Sequence, residues 1–283
     1  MKMTLRLWIA SCFLAAWAQA EDLGAFLMHH MANSPEWKPI PGAAAIKLPT
    51  GLNVMGVDMG ISQHVLMMLI ASGLLLFAVF IGKKRKGLAP VGKWGHVIEV
   101  LVLFIRDEVV KPNLGEKDTP KWLPFFLTLF FFLVCLNLTG LVPGFSSASS
   151  NINFTFAMAL MIFFLYNAAG MATNGVVHYF SALVPKGLPL AVLPLIALIE
   201  FIGLFTKAFA LAIRLFANMT AGHVLIFSLL GLIAVFKSYL LVTPFLGFTL
   251  FIYLIEILVA FLQAYVFTLL ASLFLGQALH PEH

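Results

Sequence analysis

Charge is what this chain has least of. Only 10% of its 283 residues are Asp, Glu, Lys or Arg, while 61% are hydrophobic; an ordinary soluble domain is about a quarter charged. No aqueous fold of this size hides so much apolar surface, so lipid is the solvent for most of the chain. Cysteine is nearly as scarce. Cys12 and Cys135 each sit in an apolar run, which excludes a disulfide framework and a cysteine-built metal site. The G-x-x-x-x-G-K-[ST] loop that cradles nucleotide phosphates is missing, and so are the H-E-x-x-H and G-x-S-x-G patterns of hydrolases. No repeat relates the two halves, as a self-contained secondary transporter would normally require. His29 and His30 are adjacent but lack a third ligand, so no metal and no cofactor is expected.

The charges that remain are placed unevenly. Net charge is +5, and nine of the seventeen Lys and Arg fall within residues 83–121. In a membrane chain such a cluster reads as a cytoplasmic loop rather than a nucleic-acid surface. The first twenty residues resemble a signal peptide: Lys2 and Arg6, an apolar core over 7–18, then Ala18-Gln19-Ala20 as a cleavage pattern. Residues 21–60 form a polar, Pro- and Gly-containing exterior segment, which leaves 61–283 as one membrane domain. A first span over 61–82 ends at Lys83, Lys84, Arg85 and Lys86, placing the mature amino terminus outside and this end in the cytoplasm.

The basic loop 83–121 holds Val97, Val100, Leu101, Phe104 and Ile105 at helical spacing. Lys93, Glu99, Arg106, Asp107 and Glu108 interrupt them, so residues 90–112 read as an amphipathic helix on the cytoplasmic face. Further spans are expected at 122–143 and 154–175, joined outside by a polar loop over 146–153. A second loop, with His178, follows. The last third carries two uninterrupted apolar stretches, 189–234 and 244–275. The first would be roughly 65 Å long as one helix, about twice the hydrocarbon thickness. Two long, strongly tilted helices packed as a hairpin accommodate that length. The fold class is therefore an all-α integral membrane protein, with about five membrane helices plus one cytoplasmic amphipathic helix.

Few ionisable residues lie in these stretches, and each is expensive in a bilayer. At 100° per residue Glu200, Gly203, Lys207, Ala210, Arg214, Ala217, Asn218 and Ala221 fall in one stripe. Small neighbours let another helix come close to Arg214. His223 is half a turn out of phase, and Glu256 and Gln263 share a face of the last helix. Carboxylates and imidazoles can relay protons, whereas an arginine holds its proton and blocks a hopping chain. The alternative reading is structural: Arg214 pairs with Glu200 or Glu256, and Lys207 snorkels to the interface.

The run from Lys207 to His223, with Arg214-Leu-Phe-Ala-Asn218-Met at its centre, resembles the signature of the ATP synthase a subunit family. Glu256 to Gln263, Glu200 and the run Asn137-Leu-Thr-Gly140-Leu-Val-Pro143 are similar to that family as well. The likeness extends from about residue 29 to the carboxy terminus. It implies a non-nucleotide-binding subunit, not an enzyme alone, of the proton-translocating ATP synthase. It implies a multi-pass place in the bacterial inner membrane, with a cytoplasmic carboxy terminus. The long helices would lie against a rotating c-subunit ring, with a b-subunit peripheral stalk and other subunits completing the complex. Arg214 would face the ring carboxylate and separate two aqueous half-channels. Glu256 and His223 would line the outer one, with Asn218 and Gln263 as polar neighbours of the arginine; Glu200 would belong to the cytoplasmic one. The chain departs from some relatives in placing histidine at 223 and glutamate at 256 where they place the reverse. It also has Gly140 where some carry aspartate.

Overall fold

The protein is described here from a computed structural model that covers residues 33–37, 45–49, 53–54, 57–58, 60–82, 85–86, 89–90, 92–142, 144–182, 192–236 and 239–281. The signal-like start at 1–20 and the His29-His30 pair lie outside the described residues. Helix dominates what is described. In chain order the helices are α1 (Gln63–Gly82), α2 (Gly92–Phe104), α3 (Lys111–Gly140), α4 (Ile152–Asn174), α5 (Val176–Ala182), α6 (Leu193–Phe236) and α7 (Tyr239–Leu279). Strand is confined to three antiparallel two-residue pairings, such as Glu36–Trp37 with Ile46–Lys47.

Among the described residues five helical segments are long and apolar enough to cross a membrane. Their outward surfaces say the same. Leu76, Phe77 and Phe80 on α1, Phe201, Phe205 and Phe209 on α6, and Leu254, Leu258 and Leu262 on α7 are all exposed. Such contiguous apolar surface is stable only in lipid or against another apolar protein. The chain is an all-α integral membrane protein.

Local chemistry explains the helix boundaries. At the start of α1, the Asn33 side chain accepts the His64 N–H and the Ser34 carbonyl accepts the Gln63 N–H, satisfying donors that a first turn leaves open. The amphipathic segment and the second span are not separated by a loop. From α2 the chain passes through a π-helical stretch, Ile105–Val110, directly into α3. The axis breaks at Gly115 instead, with φ 76° and ψ 173°, a conformation that a side chain would oppose. His178, expected in a loop, lies exposed on the short helix α5.

The two apolar stretches of the last third are continuous helices of 44 and 41 residues. At 1.5 Å per residue α6 is roughly 66 Å long. Pro194 occupies its first turn, where a missing N–H loses nothing. Pro244 sits inside α7, near its beginning, and removes one bond of the ladder there.

The described chain divides into two compact units. One gathers the start of α1, the end of α3 with the loop that follows it, the second half of α6 and the first half of α7. Its core includes Met67, Leu136, Met219 and Ala260. The other gathers α2, most of α3, α4, α5, the first half of α6 and the end of α7, with Phe126, Ile162, Leu211 and Leu275 buried. In that second unit Gly276 lets the backbone of Asn113 lie directly against α7, and the Asn113 amide donates to the Ser272 hydroxyl at 2.9 Å.

Candidate functional site

In the second unit, the first half of α6 carries Glu200, Gly203 and Lys207, half-buried, followed by Ala210 and Arg214, both exposed. Glu200 and Lys207 line a cavity of about 500 Å³ with Tyr166, Tyr179, Asn113 and Gln277. Lys207 is held there rather than free: its Nζ donates to Gln277 Oε1 at 3.2 Å and lies 5.5 Å from the centre of the Phe274 ring. The tyrosines are braced too. Tyr166 donates to the Leu204 carbonyl at 3.0 Å, and Tyr179 donates to Asn167 Oδ1 at 2.9 Å. The His280 imidazole, 3.0 Å from Asp118, sits at the edge of the same cavity.

Within this unit no described carboxylate pairs with Arg214. Glu200 is fourteen residues earlier on the same helix, a rise of roughly 21 Å, far beyond ion-pair reach. The structural reading that ties Arg214 to Glu200 is therefore not realised. An exposed guanidinium among alanines is left on the outer face of a membrane helix.

In the first unit, Ala217, Asn218 and Ala221 on α6 are exposed, whereas Gly222 and His223 are buried. Both ring nitrogens of His223 face carbonyl oxygens: Nδ1 lies 2.8 Å from Met219 O and Nε2 3.0 Å from Gly140 O. Carbonyls only accept, so one N–H donates when the ring is neutral and both donate when it carries a second proton. In a neutral ring the other nitrogen faces a carbonyl oxygen without a hydrogen between them. Gly140 is confined as well, because a Cβ there would come 2.9 Å from the Ser147 hydroxyl.

Glu256, on α7, is 7% exposed. Its carboxyl lies directly against Gly222, where a Cβ would overlap it. One oxygen, Oε2, is buried with no hydrogen-bond partner among the described residues. A buried polar atom without a partner is costly, and a neighbouring donor or cation relieves it. Glu256 and His223 are brought to adjacent positions, since Gly222 precedes His223, but not into a mutual hydrogen bond. Around them Asn137 donates to the Ala260 carbonyl at 3.2 Å, and Tyr253 donates to the Leu141 carbonyl. Gln263 is buried further along α7, in the second unit.

Several of these residues carry no weight in a reading of the sequence alone. Gly222 looks like any small helix residue until Glu256 is seen against it. Tyr166, Asn167 and Tyr179 stand in apolar helices, and the signal that finds them is polarity inside a membrane span. His64 carries no signal beyond polarity at the edge of an apolar span, and the serines that follow Phe145 read only as a polar loop.

Comparison with known proteins identifies the family. The sequence model of the family described as ATP synthase A chain matches residues 65–276. ATP synthase subunit a of Chloroherpeton thalassium is 45% identical over 262 residues, covering 90% of this chain and 77% of that protein. The subunit a of Pelodictyon phaeoclathratiforme is 41% identical over 285 residues, covering 97% and 83%. That of an Anaeromyxobacter species is 39% identical over 305 residues, covering 95% and 75%. With most of its length matched by the family and by relatives well above chance identity, this chain belongs to the ATP synthase A chain family.

Proposed function

We propose that this membrane subunit forms two half-channels that pass protons to and from carboxylates on a rotating ring of c subunits. The observation that carries the reading is Arg214, an exposed guanidinium on a face of small residues with no carboxylate partner among the described residues of its own unit. A passing carboxylate is the natural complement, and a nearby cation favours its ionised form, so the ring carboxylate releases its proton there. Arginine keeps its own proton and bars direct leakage between the two paths.

Glu256 and His223 supply the outer path. A buried carboxyl with an unpartnered oxygen lies beside an imidazole held between two acceptors, and both groups can carry a proton. The polar cavity with Glu200 and Lys207 supports the cytoplasmic path, with Lys207 bonded to Gln277 and lying over Phe274. Asn218 and Gln263 are polar neighbours along the two long helices. Within the first unit, Gly222 on α6 meets Glu256 on α7 while two residues separate the helices in sequence, which supports an antiparallel hairpin. Such long helices suit a curved ring surface crossing much of the bilayer. The basic residues after α1 orient the protein with that end in the cytoplasm of a bacterial cell and the start of α1 outside. A b-subunit stalk would hold the subunit still. The drive is the proton-motive force, whose voltage part is about 2.3 kcal/mol per charge per 100 mV.

The test is ATP-driven proton pumping by membranes carrying the whole complex with Arg214→Ala. Pumping and ATP synthesis should vanish while the complex still assembles. Near-normal coupled pumping would reduce Arg214 to a structural charge and sink the two-path reading.

A further inference from the structure

The mechanism above does not use the polar cluster at the amino-terminal end of α1. His64 is 3% exposed, and Ser146 and Ser149 are fully buried. Gln63 is buried beside His64, and Ser147 and Ser150 complete the serine loop between α3 and α4. His64 Nδ1 lies 3.0 Å from Asn151 Nδ2. An amide nitrogen only donates, so Nδ1 accepts and the ring hydrogen sits on Nε2. That Nε2 is buried without a partner among the described residues, and so are Gln63 Oε1 and Ser146 Oγ.

Buried polar atoms are normally satisfied, and one left unpaired is costly unless water reaches it. The cluster is also continuous with the site. Ser147 Oγ lies 3.3 Å from Ser149 Oγ, and the Ser150 hydroxyl donates to the Ser147 carbonyl at 2.7 Å. Ser147 packs on Gly140, whose carbonyl oxygen lies 3.0 Å from His223 Nε2. All of these residues belong to one unit. The end of α1 that holds His64 is opposite to the end that runs into Lys83, Lys84, Arg85 and Lys86.

We propose that His64, Asn151 and the serine loop form the outer inlet of the proton path, with His64 as its proton carrier. The inference rests on the half-channel reading and adds to it the residues that admit the proton. A half-turn of the Asn151 amide presents Oδ1 to Nδ1, which then holds the ring hydrogen and leaves Nε2 with a free lone pair. A hydronium ion at the cluster transfers its proton to Nε2, becoming water, and the imidazolium donates through Nδ1 to Oδ1. Loss of the same proton from Nε2 to water among the serine hydroxyls restores the ring and moves the charge towards His223 and Glu256.

The test measures passive proton conduction through the membrane sector of the assembled complex in vesicles, after removal of its soluble part. His64→Ala should lower conduction on the order of a hundredfold, the lower end of what a positioned proton carrier supplies. His64→Glu, which titrates, should restore much of it, and His64→Gln, which only hydrogen-bonds, should not. The opposite ranking, or near-wild-type conduction in His64→Ala, overturns the proposal. If the His64 variants do not assemble, Ser149→Cys decides. Silver ions added on the outer face should block its conduction, and absence of block overturns the inlet. Arg214→Ala in the same membranes separates the two claims. Normal coupled pumping there removes the half-channel reading itself, whereas lost pumping together with normal conduction in His64→Gln removes only the inlet.

Discussion

The two polar regions of this molecule are built in opposite ways. Around Glu256 and His223 everything is closed: the carboxyl rests on a glycine, the imidazole is clamped between two carbonyls, and both side chains are almost wholly buried. Around Glu200 and Lys207 there is a cavity of about 500 Å³, half-buried side chains and a lysine held by one neutral amide. Closed polar sites depend on each partner and tolerate little change in volume. Open ones are solvated and forgiving, because water replaces a lost partner. Substitutions in the first region should therefore be felt far more than equivalent ones in the second.

The largest effect is expected from Gly222→Val. The new side chain would occupy the place of the Glu256 carboxyl, so either the helices part or Glu256 turns away. Overpacking of this kind costs roughly 1–3 kcal/mol or more. Assembly yield and pumping should both fall, with Gly222→Ala milder than Gly222→Val. Equal and normal behaviour of the two would show that the closed site has room to spare.

Glu256→Gln keeps the shape but removes the proton-binding oxygen. Pumping should drop by about tenfold or more in a complex that assembles normally, which immunodetection of the intact complex would check. His223→Ala comes next. It strands the Gly140 carbonyl, at a cost of about 1–3 kcal/mol for a buried unsatisfied group. Heat inactivation of the complex should begin at lower temperature than in wild type, and His223→Gln should recover part of the difference.

The smallest effect is predicted for Lys207→Met in the open region. The methionine keeps an apolar stem over Phe274 and loses a single bond to Gln277, so pumping should change by less than about twofold, the scale of a solvated interaction. A collapse of activity in Lys207→Met, or indifference to Glu256→Gln, would break the contrast between the two regions.

Much of this architecture is legible in the sequence, because lipid imposes simple rules. The spans follow from apolar length, and the uninterrupted run around Arg214 announces a helix too long to stand upright. The stripe from Glu200 to Ala221 follows from 100° periodicity, and Ala210, Arg214 and Ala217 within it are exposed. Other features were hidden. The break at Gly115 depends on a backbone conformation that a glycine permits but does not demand. The continuity of α2 with α3 carries helix through residues 113–121, which read as loop between the amphipathic helix and the next span. His64 and Asn151 are ordinary polar residues until they are found in contact across a separation of 87 residues.

The sequence by itself determined the solvent, the approximate spans and the identity of the charged residues a bilayer would not tolerate idly. Each of these is a local property, fixed by composition and by the helical period. Tertiary structure decided which groups lie together: Glu256 on Gly222, His223 on Gly140, Lys207 on Gln277, and His64 on Asn151. These pairs are separated by tens of residues, and packing against particular neighbours, rather than any single side chain's preference, selects them.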